Sequence, residues 1–389
     1  MINKKTLLFI IDSLGCGGAE KSLVSLLPLL NRDKYEIHLW ILHRGGVFES
    51  LLPDNVILED SPSYTRFEDI KLRIAFLWYS LYSRVLKLLN IKEHGAETLW
   101  KCVGKTYKVP SRKYDVAIAY QQGFPTYLVA TKINAQKKFA WINADIFKAG
   151  YNTKFNRQFY DRIDYIVPVS NDLETLLRKN YPQYSEKYHC VYDIINPQII
   201  RKQASEDIAE QAEFEKKVIL VTTGRLARPK NHLLAVDAAK ILKDRGLDFR
   251  WFFVGEGEER QNIENKIKEY GLQEFVRLLG LRTNPYPYMA RCLVYVQTSS
   301  FEGFGMTIAE AKILGKPVVT TNFDVVYDQL EHERNGLISQ MDANSLAENI
   351  IRMVSDETLR KRIIDQVEQE SNDTSLTEAQ KVEKLIDED

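Results

Sequence analysis

Cys292-Leu293-Val294-Tyr295-Val296-Gln297-Thr298-Ser299-Ser300-Phe301-Glu302-Gly303-Phe304-Gly305-Met306-Thr307-Ile308-Ala309-Glu310-Ala311 carries the reading of the whole chain. Cys292 to Gln297 is a short apolar run with the pattern of a buried strand, and Thr307 to Leu314 has the apolar spacing of a helix. Between them, Gly303 and Gly305 flank Phe304, so the backbone can approach a ligand and take angles that other residues avoid. The amides of Gly305, Met306 and Thr307 then point out of a helix N-terminus, where the helix dipole favours an anion. Glu302 and Glu310 frame that anion site. A carboxylate is repelled by bare phosphate, so this pair is suited to accept hydrogen bonds from hydroxyls. Phosphate between hydroxyl-bearing groups describes a nucleotide sugar. The bland alternative is a strand-loop-helix corner with two solvated carboxylates.

A second motif of the same design lies earlier in the chain. Lys217 to Thr222 is an apolar run of the kind buried on both faces of a parallel sheet. It leads into Thr223-Gly224-Arg225-Leu226-Ala227-Arg228-Pro229-Lys230-Asn231 and an amphipathic helix from about His232 to Lys243. Arg225 can grip two oxygens in a fork, whereas Lys230 acts as a point charge. Fixed cations of this kind stabilise the negative charge that gathers on a leaving diphosphate. Arg228 shares the loop and reads as solvated.

Glu, seven residues, Glu, with Gly-Phe-Gly after the first Glu, resembles the signature of the retaining glycosyltransferases of family 4 (glycosyl transferases group 1). The Gly-Arg-Leu, three residues, Lys pattern is similar to a second signature of that family. The resemblance implies a GT-B fold, an α/β architecture of two Rossmann-like parallel-sheet domains facing a central cleft. It implies that Glu302 contacts the donor sugar, with Arg225 and Lys230 as its catalytic partners. Gly224, Phe304, Gly305, Met306 and Thr307 would hold the diphosphate, and Glu310 the ribose hydroxyls. Backbone groups near Leu281 and Arg282, after the strand that starts at Phe275, would lie against the nucleobase.

The N-terminal half adds a glycine-rich turn. Lys5 to Ile11 reads as a buried strand, and Gly15-Cys16-Gly17-Gly18-Ala19-Glu20 opens a helix running toward Leu30. Gly-x-Gly-Gly-Ala-Glu is not the dinucleotide fingerprint Gly-x-Gly-x-x-Gly, and no acidic residue marks the following strand end. It resembles instead the Gly-Gly-Ala-Glu loop of the same glycosyltransferases, which makes Gly17 and Gly18 donor-contacting. Cys16 reads as a small filler, because 4 cysteines without paired spacing suggest neither a metal site nor a disulfide framework. One departure stands at Phe139-Ala140-Trp141-Ile142-Asn143-Ala144-Asp145, where relatives often carry a histidine at the position of Asn143. Asparagine cannot take up a proton but can hydrogen-bond hydroxyls. That weakens a general base here and suits a mechanism in which the leaving phosphate takes the acceptor's proton. Asp145 would bind acceptor, orient Asn143, or cap the next helix.

Composition fits this reading. A chain of 389 residues suits two domains, expected at 1–196 for acceptor and 197–369 for donor, with a last helix at 370–389 crossing back onto the first. With 44% apolar and 27% charged residues, both domains can bury a core. A formal net charge of +0 argues against global attraction to nucleic acid. No apolar run is long enough to span a membrane, and the start carries no cleavage-like site, so a cytoplasmic protein with reduced thiols is expected. No Asp-x-Asp pair ends a strand, so no metal is expected, and no cofactor besides the substrate nucleotide sugar. Strand signals recur at Thr6, Glu36 to Leu42, Asp115 to Ala119, Lys138 to Trp141, Tyr165 to Val169 and His189 to Tyr192, with helical patterns between.

Tyr64 to Lys105 interleaves cations (Lys71, Arg73, Arg84, Lys87) with Phe76, Trp78, Tyr79 and several leucines. Such a stretch can mean peripheral contact with a membrane, which would suit a lipid-linked acceptor. The favoured reading is a core-facing helix pair with solvated cations. Taken together, the expectation is transfer of a hexose-type unit from a nucleoside diphosphate donor to a glycan or lipid-linked glycan, in bacterial surface polysaccharide assembly such as capsule or lipopolysaccharide. Two rivals are a sugar-nucleotide epimerase or hydrolase and a non-catalytic partner subunit. The first wants carboxylates or histidines facing the sugar from the N-domain, which are thin here; the second wants degraded C-domain motifs, and both are intact.

Overall fold

The computed structural model describes residues 4–15, 17–60, 70–214, 218–370 and 375–388. Cys16, Lys217 and the first part of the aromatic segment from Tyr64 lie outside them. The chain forms two compact units, divided between Ile194 and Ile195, and the first unit also takes in residues 375–388. The first unit holds β1 (Lys5–Ser13), β2 (Tyr35–His43), β3 (Ile57–Leu58), β4 (Tyr114–Ala119), β5 (Ala135–Ile142) and β6 (Tyr165–Pro168). The second holds β7 (Val218–Thr223), β8 (Phe249–Val254), β9 (Val276–Gly280), β10 (Val294–Gln297), β11 (Val318–Thr321) and β12 (Leu337–Ser339). Each set makes a six-stranded sheet, in the orders β3-β2-β1-β4-β5-β6 and β12-β11-β10-β7-β8-β9. All the strand pairs are parallel.

Both sheets therefore repeat one order, that of a doubly wound α/β fold, in which the winding reverses at one point in the sheet. In the first sheet the reversal lies between β1 and β4, and in the second between β7 and β10. Ligands of such sheets bind beyond the carboxyl ends of the strands at that reversal. The middles of the central strands are largely apolar because helices cover both faces. Leu7 to Ile11 and Val294 to Val296 are fully buried. Register is explicit across the second sheet, where Leu220 stands beside both Val294 and Trp251.

Several expectations need correction. His189 to Tyr192 is not a strand of the sheet: Tyr188 makes one isolated bridge to Ile166, and His189 and Val191 donate to Ile166 and Pro168. The segment runs extended along β6 without forming a ladder of its own. The short edge strands β3 and β12 carry too few residues to show a pattern of their own. The aromatic segment forms the helix Ile70–Leu88, which packs on the helix Gly95–Val103. It is not simply core-facing, since Ile74, Leu77, Trp78 and Leu81 are exposed. Its apolar residues are too numerous for one buried face. Among the described residues, no helix is long and apolar enough to cross a membrane.

Residues 375–387 form the helix Ser375–Asp387. It buries Ala379, Val382, Leu385 and Ile386. Its polar side binds the first unit: Lys5 reaches Asp387 at 2.9 Å, and the backbone N–H of Asn31 donates to Glu383 at 2.7 Å. At its start, Glu378 accepts from the backbone N–H of Tyr192 at 3.0 Å.

Candidate functional site

The loops after β7 and β10 leave neighbouring strands at the reversal point of the second sheet. A buried lattice of side chains joins their roots. The Trp251 indole donates to Thr222 Oγ1 at 2.9 Å, and Thr222 donates to the Val296 carbonyl at 2.6 Å. Beyond the strands, Thr298 Oγ1 donates to the Lys230 carbonyl at 2.9 Å, and the Ser300 N–H to the Pro229 carbonyl at 2.7 Å. The first loop is also tied to the end of β8 by Gly224 N–H to Val254 O and Leu226 N–H to Glu256 O. A Cβ on Gly255 would collide with the Gly224 carbonyl, and one on Gly257 with Leu226. The glycine turn after β8 is thus what lets the Gly224–Lys230 loop lie flat against it.

This scaffold brings Lys230 and Glu302 together. Lys230 Nζ lies 2.5 Å from Glu302 Oε1, and the same oxygen accepts from Ser299 Oγ at 2.6 Å and Gln297 Nε2 at 2.9 Å. Gln297 in turn accepts from Thr307 Oγ1 at 2.5 Å, at the start of the helix Met306–Ile313. Three donors occupy Oε1, which turns Oε2 into the oxygen with acceptor capacity to offer a ligand. Gly305 holds φ at 86° to open this helix, a left-handed angle suited to glycine. Gln329 Nε2 donates to the Phe304 carbonyl and, at 3.3 Å, to that of Gly305. With its carbonyls so anchored, the loop presents the amides of Gly305, Met306 and Thr307, which precede the helix's own hydrogen bonds. Arg225 is exposed at the neighbouring loop, and Arg228 is exposed with Glu259 at 3.5 Å.

Other expected residues stand differently. Glu310 is fully buried, and Tyr286 donates its hydroxyl to Glu310 Oε1 at 3.0 Å. Burial and the carboxylate hold the Tyr286 phenol well above its ordinary range, so it stays a donor. Glu310 therefore lies beneath the surface rather than on it. The Arg282 side chain donates to Tyr288 at 3.0 Å and Glu210 at 2.8 Å, and Leu281 is exposed. His232 is buried, edge-on to Phe253, and among the described residues neither ring nitrogen has a hydrogen-bond partner. Burial, helped by the Lys230 charge, lowers it to about 3, so the imidazole is neutral.

In the first unit, Gly18 opens the helix Gly18–Leu26, and the Glu20 carboxylate folds so closely over Gly17 that a Cβ there would displace it. Asn143 follows β5. Its backbone N–H donates to Gln122 Oε1 at 3.0 Å, but its buried amide group makes no hydrogen bond among the described residues. A buried amide left so is unfavourable unless something else satisfies it. Asp145 Oδ1 accepts from the N–H groups of Phe147 and Lys148, both at 2.9 Å, closing a turn. The next helix, Thr153–Tyr160, is capped by Asn152 instead. Among the described residues, no group of His, Cys, Asp and Glu side chains is arranged to hold a metal. Gln297 and Gln329 were not singled out from the sequence; the signal for Gln297 is a polar residue closing an apolar strand, whereas Gln329 follows a 3-10 turn and carries no such signal.

The family model described as glycosyl transferases group 1 matches residues 203–370, the part that carries both loops. The chain is similar to N-acetylgalactosamine-N,N'-diacetylbacillosaminyl-diphospho-undecaprenol 4-alpha-N-acetylgalactosaminyltransferase of Campylobacter jejuni, with 30% identity covering 90% of each chain. The chain belongs to the glycosyl transferases group 1. This glycosyltransferase is also 24% identical, over 95% of its length and 94% of the relative's, to the C. jejuni GalNAc-alpha-(1->4)-GalNAc-alpha-(1->3)-diNAcBac-PP-undecaprenol alpha-1,4-N-acetyl-D-galactosaminyltransferase. Among solved structures, Anabaena HepE in complex with UDP and glucose is similar in fold, with a TM-score of 0.74 and 18% identity, covering 98% of this chain and 99% of that one. The glycosyltransferase thus has the GT-B fold.

Proposed function

We propose that this glycosyltransferase moves a hexose-type sugar from a nucleoside diphosphate donor to a glycan or lipid-linked glycan acceptor, with retention of configuration, as family 4 enzymes do. The carrying observation is the Lys230–Glu302 pair set beside the amides of Gly305, Met306 and Thr307 at the sheet's reversal point. In this reading the amides and the helix dipole hold the diphosphate. Lys230 and Arg225 meet the charge that grows on it as the sugar leaves, and they supply what a metal ion would otherwise supply. Glu302 accepts a sugar hydroxyl through Oε2. A ribose contact at Glu310 would share the carboxylate with the Tyr286 hydroxyl, which donates to Oε1. The unsatisfied amide of Asn143 suits a hydroxyl of sugar or acceptor, while Asp145 is spent on its turn. Without a base at Asn143, the departing phosphate is the proton acceptor for the incoming hydroxyl.

The alpha linkages in both relatives' names support retention for an alpha-configured donor, and their undecaprenol-linked acceptors support surface glycan assembly at a membrane. The UDP in HepE supports a uridine nucleotide. The test is thermal stabilisation by UDP, GDP, ADP and TDP with EDTA present, on wild type and on Arg225→Ala. UDP should stabilise the wild type in EDTA and do so less in the variant, with UDP-N-acetylgalactosamine the first donor to try for transfer. No shift with any nucleotide would overturn the donor site and favour a non-catalytic subunit.

A further inference from the structure

The helix Ile70–Leu88 has two apolar faces. Leu72, Ala75, Phe76, Tyr79 and Leu86 are buried or partly buried, on the side packed against the helix Gly95–Val103. On the opposite side, Ile74, Leu77, Trp78, Leu81, Val85 and Leu88 recur at the spacing of one helical stripe. Their exposures are 60%, 71%, 56%, 53%, 40% and 84%. A continuous exposed stripe of large apolar side chains marks an interaction surface rather than ordinary scatter.

The helix carries Lys71, Arg73, Arg84 and Lys87 and no carboxylate. At 3.6 residues per turn, Arg73, Arg84 and Lys87 border one side of the exposed stripe and Lys71 the other. Glu93, beyond the helix, is engaged by Lys101 and by Tyr82. Glu68 and Asp69, just before the helix, lie outside the described residues. Charge decides between occupants. Two copies of this helix laid face to face would set cations against cations with no carboxylate on either to answer them. An anionic lipid surface satisfies both features, with apolar side chains in the acyl boundary and cations at lipid phosphates. Trp78 is suited to the boundary itself, having an apolar body and one N–H.

We propose that the Ile70–Leu88 helix docks this protein flat on an anionic membrane surface through its exposed stripe. The inference deepens the lipid-linked acceptor reading, on which it rests for its purpose, while the docking face stands on its own geometry. The experiment is flotation of the full chain, without nucleotide, on vesicles of phosphatidylcholine alone or mixed with phosphatidylglycerol. The protein should float with the anionic vesicles and release as salt is raised. Leu77→Glu/Leu81→Glu should reduce binding at least ten-fold, and Arg84→Gln and Lys87→Gln about five-fold each. Each variant is checked for its melting temperature and its UDP shift. Retained values show an intact fold and donor site, so loss of docking and loss of donor binding are read separately. Wild type that ignores anionic vesicles, binds neutral ones equally, or binds unchanged after the Leu77→Glu/Leu81→Glu change overturns the proposal. So does a dimer in light scattering that the same change converts to monomer, for the stripe would then be an interface between copies.

Discussion

Glu302 Oε1 is held by an ammonium, a hydroxyl and an amide at once. Of these, Lys230 is the one whose charge also serves the leaving diphosphate in the proposed reaction. Lys230→Ala should lower kcat by about a hundred- to a thousand-fold, while donor binding falls less, because the charge it meets is larger in the transition state. Turnover at the wild-type rate would remove Lys230 from the chemistry. The loops that carry Arg225, Lys230 and Glu302 were legible in the sequence as turns after apolar strands, and the structure pairs Lys230 with Glu302. The clamp of Gln297 and Ser299 was not legible, since it depends on where a strand end meets a helix start. The closure of Tyr286 over Glu310 was likewise invisible, because it joins two segments through a side chain with no motif. His232 supplies a pH prediction. With its native value near 3 against an ordinary 6.5, the unfolded chain binds a proton that the native chain refuses between those values. Stability therefore rises with pH across that window and is lost as pH falls through it, by about 2 kcal/mol at pH 5. Asp193 acts with the opposite sign, because burial lifts it from 3.8 to about 7 and the native form keeps the extra proton. The clean reading is the difference in urea midpoint between wild type and His232→Phe from pH 4.5 to 7; a difference that does not vary with pH would sink the assignment.

At the scale of elements, the Gly224–Lys230 loop depends on glycines placed where backbones touch. Gly255→Ala pushes a methyl into the Gly224 carbonyl, a backbone atom that cannot swing away. The variant should lose about 1–3 kcal/mol of stability. It should also lose transfer activity beyond that, because the Arg225 loop shifts with the carbonyl. A folded variant with full activity would show that the two turns are independent. Parallel strands and the helices after them were legible as apolar runs ending in turns, since both faces of each strand are covered. The run His189 to Tyr192 comes after β6 and the helix Asn171–Asn180, but the segment meets β6 at one isolated bridge, so it lies alongside instead of extending the sheet. The Ile70–Leu88 helix misleads in another way. Two apolar stripes on opposite sides of one helix look, in one dimension, like a single broad face.

At the scale of the molecule, one strand order is used twice, but only the first unit is built from both ends of the described chain. Burying an aliphatic side chain contributes about 1.5–3 kcal/mol, and the helix Ser375–Asp387 buries Val382, Leu385 and Ile386 besides its link to Lys5. Its removal should cost the first unit most of a typical domain's margin of about 5–15 kcal/mol. A chain ending at residue 370 should show early proteolytic cuts within residues 4–194 and leave 218–370 protected. Equal protection of both units would mean that the helix is dispensable. The same arrangement governs how the protein emerges from the ribosome. The second unit has every strand it needs once β12 and the helices after it have cleared the exit tunnel. The first unit waits, the starts of β1 and β2 lacking the partner of Lys5, Asn31 and Tyr35, until residues 375–388 are released. The half translated first is completed last, and in the interval it is the half a chaperone has most reason to hold.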